Sequence, residues 1–164
     1  MLSRVLRFSV PNFCVGLHFI LSLALFLGAV GLPTVHAANS IDMQTITPDE
    51  LARSLTSKET KPLVLNVGPH KLFVQAHIPG AEYVGAGNTP EGLQHLAQRV
   101  EKLPKNAAIV LYCGCCPWNY CPNVNPAHDA LLKLGFTNVK VLYIATNFGA
   151  DWVDKGFPVA KGEQ

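Results

Sequence analysis

The sequence is poor in charge, with only 15 % of its 164 residues Asp, Glu, Lys or Arg. No basic patch interleaved with aromatics occurs, which argues against nucleic acid as a partner. Internal repeats and low-complexity tracts are also missing, so repeat arrays are excluded. Cysteine is absent from most of the chain. Of five, one is Cys14, and the other four, Cys113, Cys115, Cys116 and Cys121, crowd into residues 113–121. A disulfide-stapled scaffold needs bridges that close long loops in the unfolded chain, and these could close only tiny ones. Chemistry explains the cluster better than stapling. The loop lacks charge too: residues 113–122 contain no Arg, Lys or His. A dianion finds no fixed cation there, and the guanidinium clamp of a phosphate-handling loop is missing.

The N-terminus has a different character. Arg4 and Arg7 precede an apolar run over residues 19–32, which closes with Pro33-Thr34-Val35-His36-Ala37-Ala38. Small residues at Val35 and Ala37 suit signal peptidase, so residues 1–37 read as a cleaved leader. The run is short for a membrane anchor, which needs about 20 residues. An exported, periplasmic location follows as an expectation, with no stable span after cleavage. Without Arg4 and Arg7 the 13 basic residues fall to match the 11 acidic ones, so the mature chain is nearly neutral. In an oxidising compartment its local thiols tend to pair.

Residues 38–45 read as a linker, 46–160 as one domain and 161–164 as a tail. Thr47-Pro48-Asp49-Glu50 carries an N-cap, a proline at the first helical position and a capping-box glutamate, predicting a helix to about Ser57. Residues 63–67, 108–112 and 139–143 are continuous apolar runs of the buried-strand type. Residues 82–84 form a short extended piece. Thr89-Pro90-Glu91 opens a second helix with Leu93, Leu96, Ala97, Val100 and Leu103 on one face, stopped by Pro104. A third helix is expected from about Pro126, with Ala127, Ala130, Leu131 and Leu134 inward and Gly135 as its left-handed cap. A last short helix covers residues 151–155. Apolar strands alternating with amphipathic helices predict an α/β fold: a central, mostly parallel sheet with helices on both faces. In such sheets ligands bind at the carboxyl ends of the strands, where the cysteine loop falls.

Four stretches together resemble the rhodanese-like domain family over residues 46–159. They are Thr47-Pro48-Asp49-Glu50-Leu51, His77-Ile78-Pro79-Gly80-Ala81, the strand ending in Tyr112-Cys113, and Trp152-Val153-Asp154-Lys155-Gly156-Phe157-Pro158-Val159. The resemblance implies a cysteine after the central strand that accepts a sulfane sulfur as a persulfide and passes it to a nucleophile. Cys113 holds that place. Two departures stand out. Asn66-Val67-Gly68 replaces the Asp-x-Arg of many members, and the active loop is longer and has no Arg.

The resulting expectation is a periplasmic sulfurtransferase with Cys113 as nucleophile and Cys116 as the alternative. Cys115 and Cys121 are resolving or disulfide partners, and Gly114, Trp118 and Asn119 are substrate-binding. A small sulfur donor and a thiol or cyanide-like acceptor are the partners. The chain is expected to be a monomer with no cofactor. Thiol–disulfide redox chemistry, a noncatalytic module, and a metal site of Cys113, Cys115, Cys116 and Cys121 stay open as alternatives. For such a metal site Cu(I) is favoured over zinc, because Cu(I) tolerates fewer thiolates. His77 reads as structural and Trp152 as core. His128 is a candidate base for a loop thiol, Lys71 and His77 are candidate helpers for an anion, and Asn66 and Gly68 form the floor beneath the loop.

Overall fold

A computed structural model of the chain describes residues 43–163. The expected leader, residues 1–37, lies outside them, and no helix among the described residues is long and apolar enough to cross a membrane. The chain runs β1 (Thr45–Ile46), α1 (Pro48–Thr56), β2 (Leu63–Asn66), α2 (His70–Gln75), β3 (Glu82–Tyr83), α3 (Pro90–Val100), β4 (Ile109–Tyr112), α4 (Val124–Lys133) and β5 (Val139–Leu142). The five strands form one sheet in the order β1-β5-β4-β2-β3, with every pairing parallel. β1 begins at Thr45, the last residue of the expected linker, and Val141 N–H already donates to the Gln44 carbonyl.

Strand residues alternate between two cores, as the period of two requires. Leu65, Ile109, Leu111, Val139 and Val141 pack with Leu96 and Val100 of α3 and Val124, Ala127 and Leu131 of α4. Val64, Val110, Tyr112 and Leu142 pack on the opposite side with Leu51 of α1, Ile78, Phe148 and Trp152. Both faces are therefore covered, and the continuous apolar runs are explained.

The helix signals act as anticipated. Thr47 Oγ1 accepts from Glu50 N–H at 3.3 Å while the Glu50 carboxylate accepts from Thr47 N–H at 2.9 Å. Thr89 Oγ1 accepts from Gly92 N–H at 3.0 Å. Gly135, at φ +86°, ends α4, with Gly135 N–H bonded to the Leu132 carbonyl and Phe136 N–H to that of Leu131.

Three boundaries differ from expectation. α3 stops at Val100 and only a turn separates it from Pro104. α4 starts at Val124, two residues before Pro126, because a proline in the first turn forfeits no intrahelical bond. The last helical piece is a π-helical turn at Gly149–Val153, not residues 151–155. It buries Trp152 completely, whose indole Nε1–H donates to the Pro158 carbonyl at 2.8 Å. His77 is buried too, stacked on Phe73 with centroids 4.0 Å apart, and its Nδ1 bonds the Phe73 carbonyl at 2.9 Å.

Candidate functional site

Cys113 is the first residue past the carboxyl end of β4, the central strand. The neighbouring β2 ends at Asn66, paired in register with Tyr112. From β2 the chain runs outward to β3, then crosses back so that β4 lies on β2's other side. The gap between the ends of β2 and β4 is thus a switch point, where open α/β sheets place ligands.

Two glycines shape the ground there. A Cβ on Gly68 would fall 2.5 Å from the Cys113 carbonyl oxygen and 3.0 Å from its Sγ. Gly114, at φ +81°, turns the chain back on itself, and Phe148 N–H donates to its carbonyl at 2.9 Å. The turn brings Cys115 Sγ to 3.1 Å from Cys113 Sγ, and Cys116 Sγ lies 3.2 Å beyond Cys115. A 3-10 turn, Trp118–Tyr120, follows, pinned by Trp118 N–H on the Ile144 carbonyl at 2.9 Å. Cys121 then returns, and the sulfurs of Cys113, Cys115 and Cys121 all lie within 4.8 Å of one another.

The charge in this cluster sits on Cys121. Its thiol is brought down to about 5, first because Cys113 hydrogen-bonds to it. Backbone N–H groups of Asn123 and Val124 at the start of α4 add to this against the opposing effect of burial. The Cys113 thiol is correspondingly pushed well above the ordinary thiol range, by that bond to Cys121 and then by burial. Asn123 Nδ2 donates to Cys113 Sγ at 3.4 Å, and its Oδ1 accepts from Asn88 N–H at 3.3 Å. Cys116 is pushed up to about 12, chiefly by burial.

An open cavity of about 300 Å³ lies over Cys113, with Asn66, Gln75, Tyr112, Gly114, Cys115 and Phe148 among its walls. Its rim carries the exposed Leu72 and Val153, and among the described residues no charged side chain lines it. Cys116, Cys121 and Trp118 instead face a smaller, narrower space shared with Cys113, Gly114, Val124, Leu142 and Ile144.

Of the residues singled out from sequence, the structure brings together Cys113, Gly114 and Cys115 at the cavity. Cys116, Trp118 and Cys121 stand behind it, and Asn119 is exposed on the 3-10 turn and lines neither space. Lys71 is exposed on α2 and does not line the cavity, and His77 is buried away from it. His128 is buried on α4 without a hydrogen bond at Nδ1, which lies 4.0 Å from Asp129 Oδ1. Asn123 was not anticipated. An asparagine just before a helix is a cap signal, but it makes no cap bond here, which leaves its amide for the thiol.

The family model for the rhodanese-like domain matches residues 47–143. The chain belongs to the rhodanese-like domain family. Three solved structures carry the same fold. The BH2092 protein of Bacillus halodurans is 21 % identical, covering 72 % of this chain and 77 % of its own, with a TM-score of 0.56. The Alr3790 protein of Anabaena sp. is also 21 % identical, over 71 % and 92 % of the two chains, at a TM-score of 0.55. The single-domain sulfurtransferase RDL2 of Saccharomyces cerevisiae is 15 % identical, over 70 % and 91 %, at 0.52. No curated protein matches the chain. Cys113, directly after β4, lies within the matched residues.

Proposed function

We propose that this rhodanese-like domain is an exported sulfurtransferase that carries sulfane sulfur as a persulfide on Cys113. One observation carries the reading: Cys113 opens onto the cavity while its thiol is hydrogen-bonded to the low-lying Cys121. Cys116 also bonds to Cys121, but it does not line the open cavity and faces the smaller space behind. Export rests on the leader pattern of Arg4, Arg7, the apolar run and Val35-x-Ala37.

The Cys121 thiolate takes the proton of Cys113 as Cys113 attacks the outer sulfur of a donor R–S–SH. The new bond joins Cys113 Sγ to that sulfur, the donor's S–S bond breaks, and RS⁻ leaves with the electron pair. The Cys115 N–H and the Asn123 amide stabilise charge on Cys113. An external thiolate or cyanide-like acceptor then attacks the terminal sulfur and leaves Cys113 as thiolate, which recovers its proton from Cys121. The uncharged cavity and its apolar rim favour low-molecular-weight persulfides over thiosulfate, whose two charges meet no cation.

The test is peptide-mapping mass spectrometry of the reduced protein after brief exposure to a glutathione persulfide. One added sulfur, on the peptide bearing Cys113 and removed by cyanide, is the expected result. Undiminished sulfur transfer by the Cys113→Ser variant would overturn the assignment.

A further inference from the structure

The same loop also has the form of a soft-metal site. We infer that Cys113, Cys115 and Cys121 bind one Cu(I) ion in a three-coordinate, all-thiolate site. Their three sulfurs lie within 4.8 Å of one another, and no histidine or carboxylate joins the group among the described residues. Metal–thiolate bonds of about 2.3 Å in a trigonal plane place the sulfurs roughly 4 Å apart, so small rotations of the side chains close the site.

The donor set selects the metal. Thiolates alone favour Cu(I) among available first-row ions. Structural zinc demands a tetrahedral fourth ligand. The one further sulfur nearby, Cys116, is outside the convergent group.

The surroundings fit an anionic copper–thiolate centre. Asn123 Nδ2 points a donor at Cys113, and the amides of Asn123 and Val124 point at Cys121 from the start of the ten-residue α4. Such outer hydrogen bonds orient thiolate ligands and offset their charge. The ligands are also held in advance of binding, because Gly114 fixes the turn between Cys113 and Cys115 and the Trp118–Ile144 bond fixes the approach to Cys121. An entry route exists as well: Cys113 and Cys115 line the open cavity, so copper can arrive on those two and be completed by Cys121 from behind. Loading displaces the remaining thiol protons to solvent, and the copper stays Cu(I) throughout.

Copper binding does not rest on the sulfur-transfer reading, although both use Cys113. If both hold, a copper-loaded chain takes up no persulfide until the ion is removed.

The experiment is anaerobic titration of the reduced full chain with Cu(I) against the chromophoric chelator bicinchoninate, followed by copper K-edge absorption spectroscopy of the loaded protein. One Cu(I) per chain with a shell of three sulfurs is expected. Failure to retain copper against the chelator overturns the inference, and so does a two-sulfur shell or one containing nitrogen or oxygen. Cys115→Ser and Cys121→Ser are each expected to weaken binding by more than about 100-fold, beyond what an outer-shell change costs. Unchanged affinity in either folded variant also refutes the site. The scattering shell of the wild-type protein decides the matter even if a variant does not fold.

Discussion

At the scale of single residues, the division of labour between Cys113 and Cys121 has a kinetic signature. Cys121 loses its proton near pH 5, so above that pH the pair carries one negative charge and one shared proton. Persulfide loading of the wild-type protein should therefore be nearly flat from about pH 6 to 8. Cys121→Ser removes the proton acceptor and leaves Cys113 to titrate as a buried thiol. Its loading rate should start lower and climb about tenfold per pH unit over the same range, since only the thiolate reacts. Stopped-flow measurement of loading against pH distinguishes the two shapes, and a flat profile for the variant would remove Cys121 from the mechanism. Cys115 bears on the lifetime of the loaded state. Its sulfur, 3.1 Å from Cys113, can attack Cys113 Sγ, expelling HS⁻ and leaving a Cys113–Cys115 disulfide that an external dithiol must reduce. Cys115→Ser should prolong the persulfide and suppress sulfide release, as read by a sulfide electrode after loading.

At the scale of elements, the segment that follows β2 matters as much as the cysteine loop it faces. Gly68→Ala would drive a methyl group into the Cys113 carbonyl, a backbone atom that cannot swing aside. A loss of roughly 1–3 kcal/mol is expected, together with slower loading, because relief of the clash moves Cys113. Thermal denaturation and the loading assay check the two effects together. Thr47→Ala breaks the capping box of α1, no residue of which lines the cavity, and should cost about 1 kcal/mol while leaving loading unchanged.

The elements with strong local signals were legible in advance: α1 and α3 through Thr47 and Thr89, β2, β4 and β5 through their apolar runs, and the end of α4 through Gly135. α2 was not legible. His70 to Gln75 spans six residues without a side-chain cap, too short for a helical period to show. β1 is two residues long and exists through its pairing with β5, a contact distant in sequence. The cysteine cluster stood out from composition alone. That Cys121 lies behind Cys113 and holds the charge depends on the turn at Trp118–Tyr120 and on Asn123, which only tertiary contacts with Ile144 and Asn88 position.

At the scale of the whole molecule, the parallel sheet requires both of its faces to stay dry, and the face under α4 contains an ionisable group. His128 is almost fully buried on α4, on the face that presents Val124, Ala127 and Leu131 to the core. Burial lowers its pKa below the ordinary 6.5, and the partial compensation from Asp129 does not reverse this. The unfolded chain therefore binds a proton at His128 more readily than the folded one. Stability associated with the neutral ring is fully present above pH 6.5 and declines as pH falls through that value toward the lower folded-state pKa. The carboxylates lose their contribution in a separate window. Glu82, held low by Arg99, and Glu50, held low by Thr47, do so only as pH drops below 4.5. The Cys121 thiolate has its own window, because its pKa is brought down from 9.0 to about 5 and its contribution is lost as pH falls between those values. In a Cys121→Ser background, which removes that titration, melting temperature should be level from pH 8 to 7 and begin to fall between pH 6.5 and 5, before either carboxylate protonates. Adding His128→Gln, which cannot acquire the charge, should keep a level profile through that interval whatever the absolute stability. A melting temperature of the Cys121→Ser protein unchanged down to pH 5, or a double variant that declines in parallel with it, would show that another group governs the acid limb.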